Sequence, residues 1–268
     1  MWRAGRLDEI PGVGNRLIDL AGVRGDLHVH TDWSGGADSL DAMVEATCQR
    51  GYAYVAITDH SRGLGIAHGL SIERVREQRR AIDELNRRLA PFRVLHGVEV
   101  NVRNDGRLDY PDDVLREFDL IAAAVHSGLG QPADMINARI LAALRHPLVN
   151  VLCHPSGRLL RKRDEAPLDL PALFREARER GVALEIDGLP DRLDLDDVSA
   201  RLARDARVTL ALDSDAHAVA QLDLLRLAVG VARRAWVEPS DVLNVLELDD
   251  LLRHLARTRT KAASAAAM

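Results

Sequence analysis

The sequence predicts an α/β protein in which seven parallel strands form a closed or nearly closed barrel surrounded by helices. Two observations carry this prediction. Short apolar runs of strand length alternate with segments of helical period from about Gly25 to Val231, and each return between parallel strands requires a crossover helix. No linker interrupts this alternation. We therefore expect a single domain.

The individual elements follow from the same pattern. The apolar runs interpreted as strands are Asp26–Val29, Tyr54–Thr58, Val94–Val100, Leu120–Val125, Val149–Leu152, Ala183–Ile186 and Val208–Leu212. The segments with helical period are Ser39–Arg50, Ser71–Leu89, Asp134–Arg145, Leu170–Arg180 and Val198–Asp205. Gly51 and Gly181 follow two of these helices, where a residue with positive φ turns the chain into the next strand. Residues 237–256 are interpreted as closing helices.

Composition and the chain ends limit the class of protein. The chain has 268 residues and a formal net charge of −5, which is typical of a globular protein. No stretch reaches the ~18 apolar residues of a membrane span, and the N-terminus lacks the apolar core of a signal peptide. We expect a cytoplasmic protein with no membrane partner. Residues 1–23 are interpreted as an N-terminal extension, 24–258 as the barrel and 259–268 as a disordered tail.

Cysteine and aromatic residues are scarce, and this excludes two kinds of site. Cys48 and Cys153 are too few for a disulfide framework or a thiolate zinc site, so any metal must be held by His, Asp and Glu. Three residues each of Trp, Tyr and Phe argue against a broad stacking platform for single-stranded nucleic acid.

Most of the ten histidines lie where a predicted strand ends. His28 and His30 are two residues apart, so a strand directs both imidazoles to the same side. Other potential ligands lie at the ends of five further strands: His60, Glu99, His126, His154, and the pair Asp215 and His217. The carboxyl ends of parallel barrel strands meet on one face, which is where such barrels carry their chemistry. These side chains exceed the needs of one metal, so we expect a cluster of two or three divalent ions, with Glu99 bridging two of them.

The ordered set of motifs resembles the PHP family, named for polymerase and histidinol phosphatase domains, and most of all the C-terminal PHP domain of bacterial family X DNA polymerases. The resemblance runs from about Arg24 to Arg257. The matching stretches are Arg24–His30, Ala56–Ser61, His154–Arg158, Leu193–Leu195 and Trp236–Asn244. The resemblance implies a distorted, TIM-like (β/α)7 barrel with up to three metals at its mouth and a metal-dependent phosphoesterase activity.

The resemblance also implies which residues hold the metals. The first position is implied for His28, His30, Glu99 and Asp215, the second for Glu99, His126 and His154, and the third for His60 and His217. Where the family commonly has Ser-Asp-Gly, this chain has Ser34-Gly35-Gly36, so the third position lacks a carboxylate unless Asp32 supplies one. We expect two firmly bound metals and a weak or substrate-dependent third. Imidazole-rich sites suit manganese, zinc or iron.

Further residues are candidates for contact with a phosphate ester or with the ligands. Arg158 is expected to bind a substrate phosphate bidentately, and His217 or His60 to protonate the leaving oxygen. Asp59 is expected to orient a ligating histidine. Glu185 and Asp187 alternate along the sixth strand, and the pattern is compatible both with placement at the mouth and with placement on the surface.

Two segments bear on the substrate. The basic run Arg158–Arg163 is a candidate track for a nucleic-acid backbone. Ile10–Asn15 resembles the glycine hairpin of helix-hairpin-helix DNA-binding motifs. About two dozen residues before the barrel cannot hold a polymerase domain, so we expect no polymerase module in the same chain.

The leading hypothesis is a phosphoesterase that uses a metal-activated water. Its substrate is either the 3′ end of DNA, in a 3′-to-5′ exonuclease, or a small phosphomonoester such as a nucleotide or histidinol phosphate. The alternative, motivated by Gly35, is a degenerate barrel that binds metal or nucleic acid without turnover. A metal-dependent amidohydrolase shares the first His-x-His but explains the order of Glu99, His126 and Asp215-x-His217 poorly.

Overall fold

Seven parallel strands lie side by side in the order in which they occur in the sequence. The computed structural model of the chain describes residues 16–63 and 67–265, with side chains through residue 257. The strands are β1 (Gly25–Val29), β2 (Tyr54–Ile57), β3 (Arg93–Asn101), β4 (Leu120–Ala124), β5 (Val151–Leu152), β6 (Ala183–Asp187) and β7 (Leu210–Asp213). All seven predicted strands are present, and the prediction of a nearly closed parallel barrel in a single domain is confirmed.

Helices connect the strands and cover the outside of the barrel. They are α1 (Leu40–Gln49), α2 (Ile72–Leu89), α3 (Asp112–Leu115), α4 (Ala133–Arg145), α5 (Leu170–Arg180), α6 (Asp197–Asp205), α7 (Leu225–Arg234) and α8 (Leu248–Ala265). The five predicted helices are α1, α2, α4, α5 and α6. Two helices were not among those predicted: α3, which is one turn long, and α7, which continues from the 3-10 helix Val219–Leu224.

Local sequence explains where several helices begin and end. Ser39 and Ser71 begin α1 and α2 by accepting a backbone N–H from the first turn, and Asp169 does the same for α5. Gly51 and Gly181 follow α1 and α5 with φ values of 81° and 75°, as the sequence predicts. The closing helices expected over residues 237–256 are two 3-10 turns and α8, and α8 extends into the predicted tail.

The barrel closes between β1 and β7, where carboxylates replace part of a backbone ladder. Oδ1 of Asp213, on β7, accepts the N–H of Leu27 at 2.8 Å. In the opposite direction, Oδ1 of Asp26, on β1, accepts the N–H of Ser214 at 3.2 Å. Both aspartates are buried. Each strand therefore supplies a side-chain acceptor to an amide of the other.

Asn244 also links β1 to β7; we call the junction of these two strands the seam. Its side-chain amide donates to the carbonyl oxygens of Gly25 on β1 and Leu212 on β7, at 2.8 and 2.6 Å. Its side-chain oxygen accepts the N–H of Leu212 at 3.0 Å. At the upper end of the seam, Val29 and Ala216 form a parallel backbone bridge. The ends of β1 and β7 are thereby held beside each other.

The barrel interior changes from apolar to ionisable along the strands. On β3, Leu95 belongs to the apolar interior cluster, whereas Glu99 lies four residues nearer the carboxyl end. On β6, Ala183 is followed at alternating positions by Glu185 and Asp187. Leu251 and Leu255 of α8 belong to the same apolar cluster as Leu95 and Ala183. The bottom of the barrel is therefore a packed core, and its ionisable groups gather at the opposite end.

Part of the predicted N-terminal extension packs against the barrel. Ile18 is fully buried; its N–H donates to the carbonyl of Val237 at 2.9 Å, and its own carbonyl accepts from Arg233. The hairpin-like segment Ile10–Asn15 lies outside the described residues. Among the helices that the structure describes, none is long and apolar enough to cross a membrane.

His96 makes the stability of this fold sensitive to acid. It is fully buried on β3 against Phe118, and within the described chain neither ring nitrogen has a hydrogen-bond partner. Burial, assisted by Arg79, lowers the pKa of His96 to about 4. Because the unfolded chain has a histidine pKa of ~6.5, protons bind the unfolded state preferentially. Above pH ~6.5 His96 is neutral in both the folded and the unfolded chain and does not destabilise the fold. As the pH falls from ~6.5 towards 4, protonation of the unfolded chain lowers the free energy of unfolding.

We expect the free energy of unfolding to fall by about 2 kcal/mol less between pH 7.5 and pH 5 in His96→Leu than in the wild type. Urea titrations at the two pH values measure this difference, and the other histidines cancel because both proteins contain them. His68→Leu, at an exposed position, is the control and should behave as the wild type. Parallel pH dependence in His96→Leu and wild type would contradict the assignment.

Candidate metal centre

The two histidines at the end of β1 face each other. Their Nε2 atoms are 3.1 Å apart, and both rings are buried. Oδ1 of Asp215, just beyond β7, lies 3.6 Å from Nε2 of His28 and 3.2 Å from Nε2 of His30. Oε2 of Glu99 is 3.5 Å from each of the same nitrogens. The four residues implied for the first metal position therefore surround one point.

Glu99 lies between two further groups of histidines. Its Oε1 is 3.0 Å from Nε2 of His126 and 2.8 Å from Nε2 of His154. Its Oε2 is 2.7 Å from Nδ1 of His60. The carboxylate is only 1 % exposed. Each of its oxygens thus faces a different set of imidazoles, which is the arrangement that a bridging carboxylate requires.

The remaining group consists of three imidazoles. The three rings form a triangle: the centroid of His30 lies 4.3 Å from that of His60 and 4.2 Å from that of His217, and the last two are 6.0 Å apart. One ligand atom from each ring lies within 4.8 Å of the others. A Cβ atom placed at Gly35 would lie 3.6 Å from Cδ2 of both His60 and His217. A side chain at position 35 would therefore border this group, whereas Asp32 is exposed.

The charges in the cluster suit cation binding. Burial opposes ionisation of Glu99, but facing imidazoles, above all His126, hold the pKa of its carboxyl well below the usual value. Burial, together with His217 and His60, lowers the pKa of His30 well below that of a free histidine. An ionised Glu99 and an unprotonated His30 are the forms in which these two groups bind metals. Burial lowers the pKa of His60, but the facing Glu99 carboxylate outweighs it and raises that pKa above the usual value, so a cation bound there displaces a proton.

Unsatisfied polar atoms test whether these residues fit a metal. In the described part of the chain, Nδ1 of His30 and Nδ1 of His154 are buried without a hydrogen-bond partner, and Oε2 of Glu99 meets Nδ1 of His60 at 2.7 Å outside hydrogen-bond geometry. Buried polar atoms are almost always satisfied, so such a concentration in one place requires an explanation. Divalent cations among these nitrogen and oxygen donors provide one. All eight predicted ligands lie in this cluster, and the residues fit the group.

Glu185 supports two of the ligands from beneath. Its Oε1 is 2.6 Å from Nδ1 of His28, and its Oε2 accepts the backbone N–H of His154 at 2.6 Å. Bonding at Nδ1 leaves Nε2 of His28 for the mouth of the barrel, as in carboxylate–histidine–metal arrangements. The alternation of Glu185 with Asp187 indicated this position without deciding between the mouth and the surface; the structure buries both side chains.

The carboxylate of Asp59 binds the loop after β1. Its carboxylate accepts bonds from the backbone and hydroxyl of Thr31, the hydroxyl of Ser34 and the side-chain amide of Gln78. These bonds hold the loop after β1 rather than an imidazole ring. Ser34 in turn accepts the N–H of His60. Asp59 contacts no imidazole directly, and its link to the ligating histidine His60 passes through the hydroxyl of Ser34 to the backbone.

Arg158 also contacts protein groups where the sequence predicts a phosphate. Its Nε donates to the carbonyl of Arg192 at 2.8 Å, Nη2 donates to the carbonyl of Leu193, and Nη1 pairs with Glu165 at 2.9 Å. Each nitrogen of this guanidinium thus already has a protein acceptor. The geometry does not support the bidentate phosphate contact predicted for Arg158.

Other members of the basic run are used in the same way. Lys162 lies 3.6 Å from the carboxylate of Asp191, and Nε of Arg163 donates to the carbonyl of Gly157 at 2.8 Å. The first contact joins the loops after β5 and β6, and the second lies within the loop after β5. Lys162 and Arg163 therefore contact protein groups in these loops, which does not favour the predicted role of the run in binding a nucleic-acid backbone.

Arg192 is the arginine beside the cluster, and the sequence analysis missed it. Its Nε lies 3.5 Å from Oδ2 of Asp187 and 3.6 Å from Oδ2 of Asp215. The signal that pointed to it was its place directly before the motif Leu193–Leu195. The remaining histidines, His68, His96, His146 and His254, are not part of the metal-capable groups found among the described residues.

The fold and these side chains define a β/α barrel with a metal centre of imidazoles and carboxylates at its mouth. Residues 26–186 match the family described as PHP domain, so the chain belongs to the PHP family. This confirms the resemblance seen in the sequence. The names of its relatives, among them phosphatases and an exonuclease, support a metal-dependent hydrolase of phosphoric ester bonds.

Individual relatives cover the chain to different extents. The chain is 42 % identical over 241 residues to the DNA polymerase/3′-5′ exonuclease PolX of Bacillus subtilis, covering 90 % of this chain and 42 % of PolX. The chain thus spans less than half the length of that relative. It is 28 % identical over 230 residues to a protein named "Probable phosphatase" from Syntrophotalea carbinolica, covering 82 % of this chain and 90 % of that protein.

A solved structure shows the same fold. The crystal structure of histidinol phosphate phosphatase from Lactococcus lactis, complexed with zinc, L-histidinol and phosphate, superposes with a TM-score of 0.55 at 12 % identity. The superposition covers 78 % of this chain and 93 % of that chain. At this identity the likeness concerns the barrel alone.

Gly35 provides a direct test of the third metal position. The space beside it accepts a Cβ without close contacts, so Gly35→Asp should add a carboxylate next to His60 and His217. We expect the variant to retain one more divalent metal per chain than the wild type after gel filtration in metal-free buffer, measured by plasma mass spectrometry. A third hard-anion ligand strengthens a site that otherwise has imidazoles alone.

Gly130→Asp is the matched control, because a Cβ at this exposed glycine meets no atom within 4 Å. It should leave the metal content unchanged. Equal metal content in wild type and Gly35→Asp, at every concentration of manganese or zinc tested, would show that position 35 does not serve this site.

Proposed function

We propose that the cluster holds two firmly bound divalent cations and a more weakly bound third, and that with them the protein hydrolyses phosphate esters. The observation that carries this proposal is the buried Glu99 carboxylate, each oxygen of which faces different imidazoles. Bound cations supply a Lewis acid and lower the pKa of a water molecule to near neutrality. The ligand sets would be those of the sequence analysis, and the imidazole-rich donors favour manganese, zinc or iron.

The protein supplies the proton for the leaving oxygen from His217. This side chain is 31 % exposed, while His60, the other candidate, is 8 % exposed. Nδ1 of His217 lies 2.8 Å from the carbonyl oxygen of Asp215, so its N–H donates there and Nε2 is left for the mouth. His60 is occupied by Glu99 through its Nδ1. His217 is therefore the better placed general acid in the state in which the weakly bound third cation does not occupy its Nε2.

Arg192 supplies a fixed positive charge for the phosphate. A guanidinium presents several N–H groups in one plane, which matches the oxygens of a phosphate. Arg192 lies beside Asp215, whose Oδ1 faces the histidine pair. A phosphoryl group held at the cluster would come within reach of this arginine. The role that the sequence predicts for Arg158 thus belongs to Arg192.

Two substrate classes follow from different observations. The ligands are deeply buried, since Glu99 is 1 % and Asp215 3 % exposed, and a terminal phosphomonoester reaches such a centre more readily than an internal diester. The resemblance to the phosphatase that the chain covers almost completely favours the same class. The higher identity to PolX favours the 3′ end of DNA. We propose small phosphomonoesters first and DNA 3′ ends second.

A barrel that binds metal without turnover is not favoured. Gly35 motivated that alternative, but the cluster retains all eight predicted ligands and an adjacent arginine. An altered third position changes metal affinity without removing the bridging carboxylate. The function therefore rests on Glu99 more than on position 35.

We expect metal-loaded wild type to hydrolyse at least one of 4-nitrophenyl phosphate, bis-4-nitrophenyl phosphate and 3′-ended single-stranded DNA. Glu99→Gln should lower kcat/KM by at least ~100-fold, because it removes the charge that faces both groups of imidazoles. Initial rates with manganese, zinc and iron measure this, and EDTA should abolish turnover reversibly. Glu179→Gln, exposed on α5, is the control. Bound metal with no turnover on all three substrates would contradict the proposal.

A further inference from the structure

The loops after β5 and β6 are joined by two reciprocal contacts. The first is made by Asp194, whose carboxylate is fully buried. Its Oδ1 accepts the N–H of Ser156 at 3.2 Å and its Oδ2 accepts the N–H of Gly157 at 2.8 Å. These amides belong to the turn that begins at His154 and closes when Gly157 N–H donates to the His154 carbonyl at 2.9 Å. A carboxylate from one loop therefore caps the turn that carries a metal ligand.

The second contact runs in the opposite direction. Arg158 follows that turn, and its guanidinium donates to the carbonyl oxygens of Arg192 and Leu193, directly before Asp194. The arginine side chain is only 14 % exposed. Hydrogen bonds from a charged donor are worth more than neutral ones, and here both end on adjacent carbonyls. We call the pair Arg158 and Asp194 the loop clasp.

Both ends of the loop clasp hold backbone in an unfavourable conformation. His154 has a φ of 31° and Leu193 a φ of 47°, in the left-handed region that residues other than glycine rarely adopt. Such conformations persist only where the surroundings enforce them. Without the loop clasp, the backbone of either segment would lower its conformational energy by relaxing towards negative φ. This relaxation would redirect the neighbouring side chains.

Arg192 depends on this support because its own side-chain contacts are loose. It approaches Asp187 and Asp215 no closer than 3.5 Å, and the structure gives it no side-chain hydrogen bond to a described residue. Its side chain is nevertheless only 19 % exposed. The direction in which it points is therefore set by its backbone, whose carbonyl Arg158 binds.

Charge balance gives Arg192 a partner of defined chemistry. With cations bound in the cluster, the negative charge of Asp215 is shared with them, and Arg192 faces a net positive centre. Like charges at such distances repel strongly in a poorly solvated site. An anion with several oxygens, such as a phosphate, relieves this repulsion by bonding to both the cations and the guanidinium.

We propose that the loop clasp is a positioning device through which Arg158 aims Arg192 at the substrate phosphate while Asp194 fixes the turn that carries His154. This inference rests on the proposed phosphoesterase function and deepens it by separating phosphate recognition from metal binding. Arg158 acts on phosphate through Arg192, so its removal affects phosphate affinity only while Arg192 is present.

A double-mutant cycle on the metal-loaded full chain tests this dependence. The variants are Arg158→Met, Arg192→Met and the double variant. Inorganic phosphate is the probe, titrated by calorimetry, and KM and kcat for 4-nitrophenyl phosphate are measured beside it. We expect each single variant to bind phosphate ~10–100-fold more weakly, as for loss of a charge-assisted contact. The double variant should bind within about threefold of Arg192→Met, because coupled residues are not additive.

Controls separate positioning from general damage. Arg161→Met, at an exposed position in the same loop, should bind phosphate as the wild type does. Metal content should be equal in the wild type, Arg192→Met and Arg158→Met. Arg158→Lys, which keeps the charge but presents one point donor instead of a fork, should recover part of the phosphate affinity, and it serves as the second variant if Arg158→Met does not fold.

Three results overturn the inference. The first is a double variant in which the effects of the two substitutions on phosphate affinity add, and the second is an unchanged phosphate affinity in Arg192→Met. The third is a loss of bound metal in Arg158→Met that is large enough to account for its weaker phosphate binding. Its failure is distinct from failure of the proposed function. If the variants show the expected coupling in phosphate binding but the wild type hydrolyses no ester, only the proposed function is contradicted. A wild type that hydrolyses esters while Arg158→Met retains its KM and phosphate affinity contradicts the loop clasp alone.

Discussion

The closure of the barrel between β1 and β7 is the constraint on which the site depends. His28 and His30 come from one side of this seam, and Asp215 and His217 from the other. The seam is held by Asp26, Asp213 and Asn244 through side-chain bonds to backbone groups. A regular ladder would tolerate a slip in register, whereas these side chains recognise particular amides. The four ligands therefore meet because buried polar side chains define how the two strands align.

The cluster itself is costly for the apo protein. It brings six imidazoles and two carboxylates into a space from which water is largely excluded, and several of their atoms lack partners in the described chain. Buried polar groups of this kind destabilise a fold unless something satisfies them. The packed apolar lower half of the barrel offsets this cost, and cations at the mouth remove much of it. Metal binding and stability are consequently linked in this architecture.

The loops differ from the strands in what they contribute. The strand ends supply ligands whose positions follow from the barrel geometry. The loops after β5 and β6 supply Arg158, Arg192 and Asp194, whose positions follow from contacts between the loops. The same barrel occurs in a histidinol phosphate phosphatase of only 12 % identity, so the strand scaffold tolerates wide sequence change.

The sequence by itself determined the seven strands, most of the helices and the eight side chains that the structure gathers at the mouth of the barrel. These depend on local periodicity and on the rule that parallel strand ends converge, so His28, Glu99 and Asp215 could be grouped although they lie far apart in the chain. Only the tertiary structure decided the roles of Asp59, Arg158 and Arg192. Each of these side chains contacts acceptors or donors on other loops. Loop conformation has no sequence period, so these contacts cannot be predicted from the sequence pattern. The physical reason is that the position of an arginine in the sequence does not determine which groups its long side chain contacts. Those contacts depend on the backbone conformation of a second loop, which is distant in the sequence.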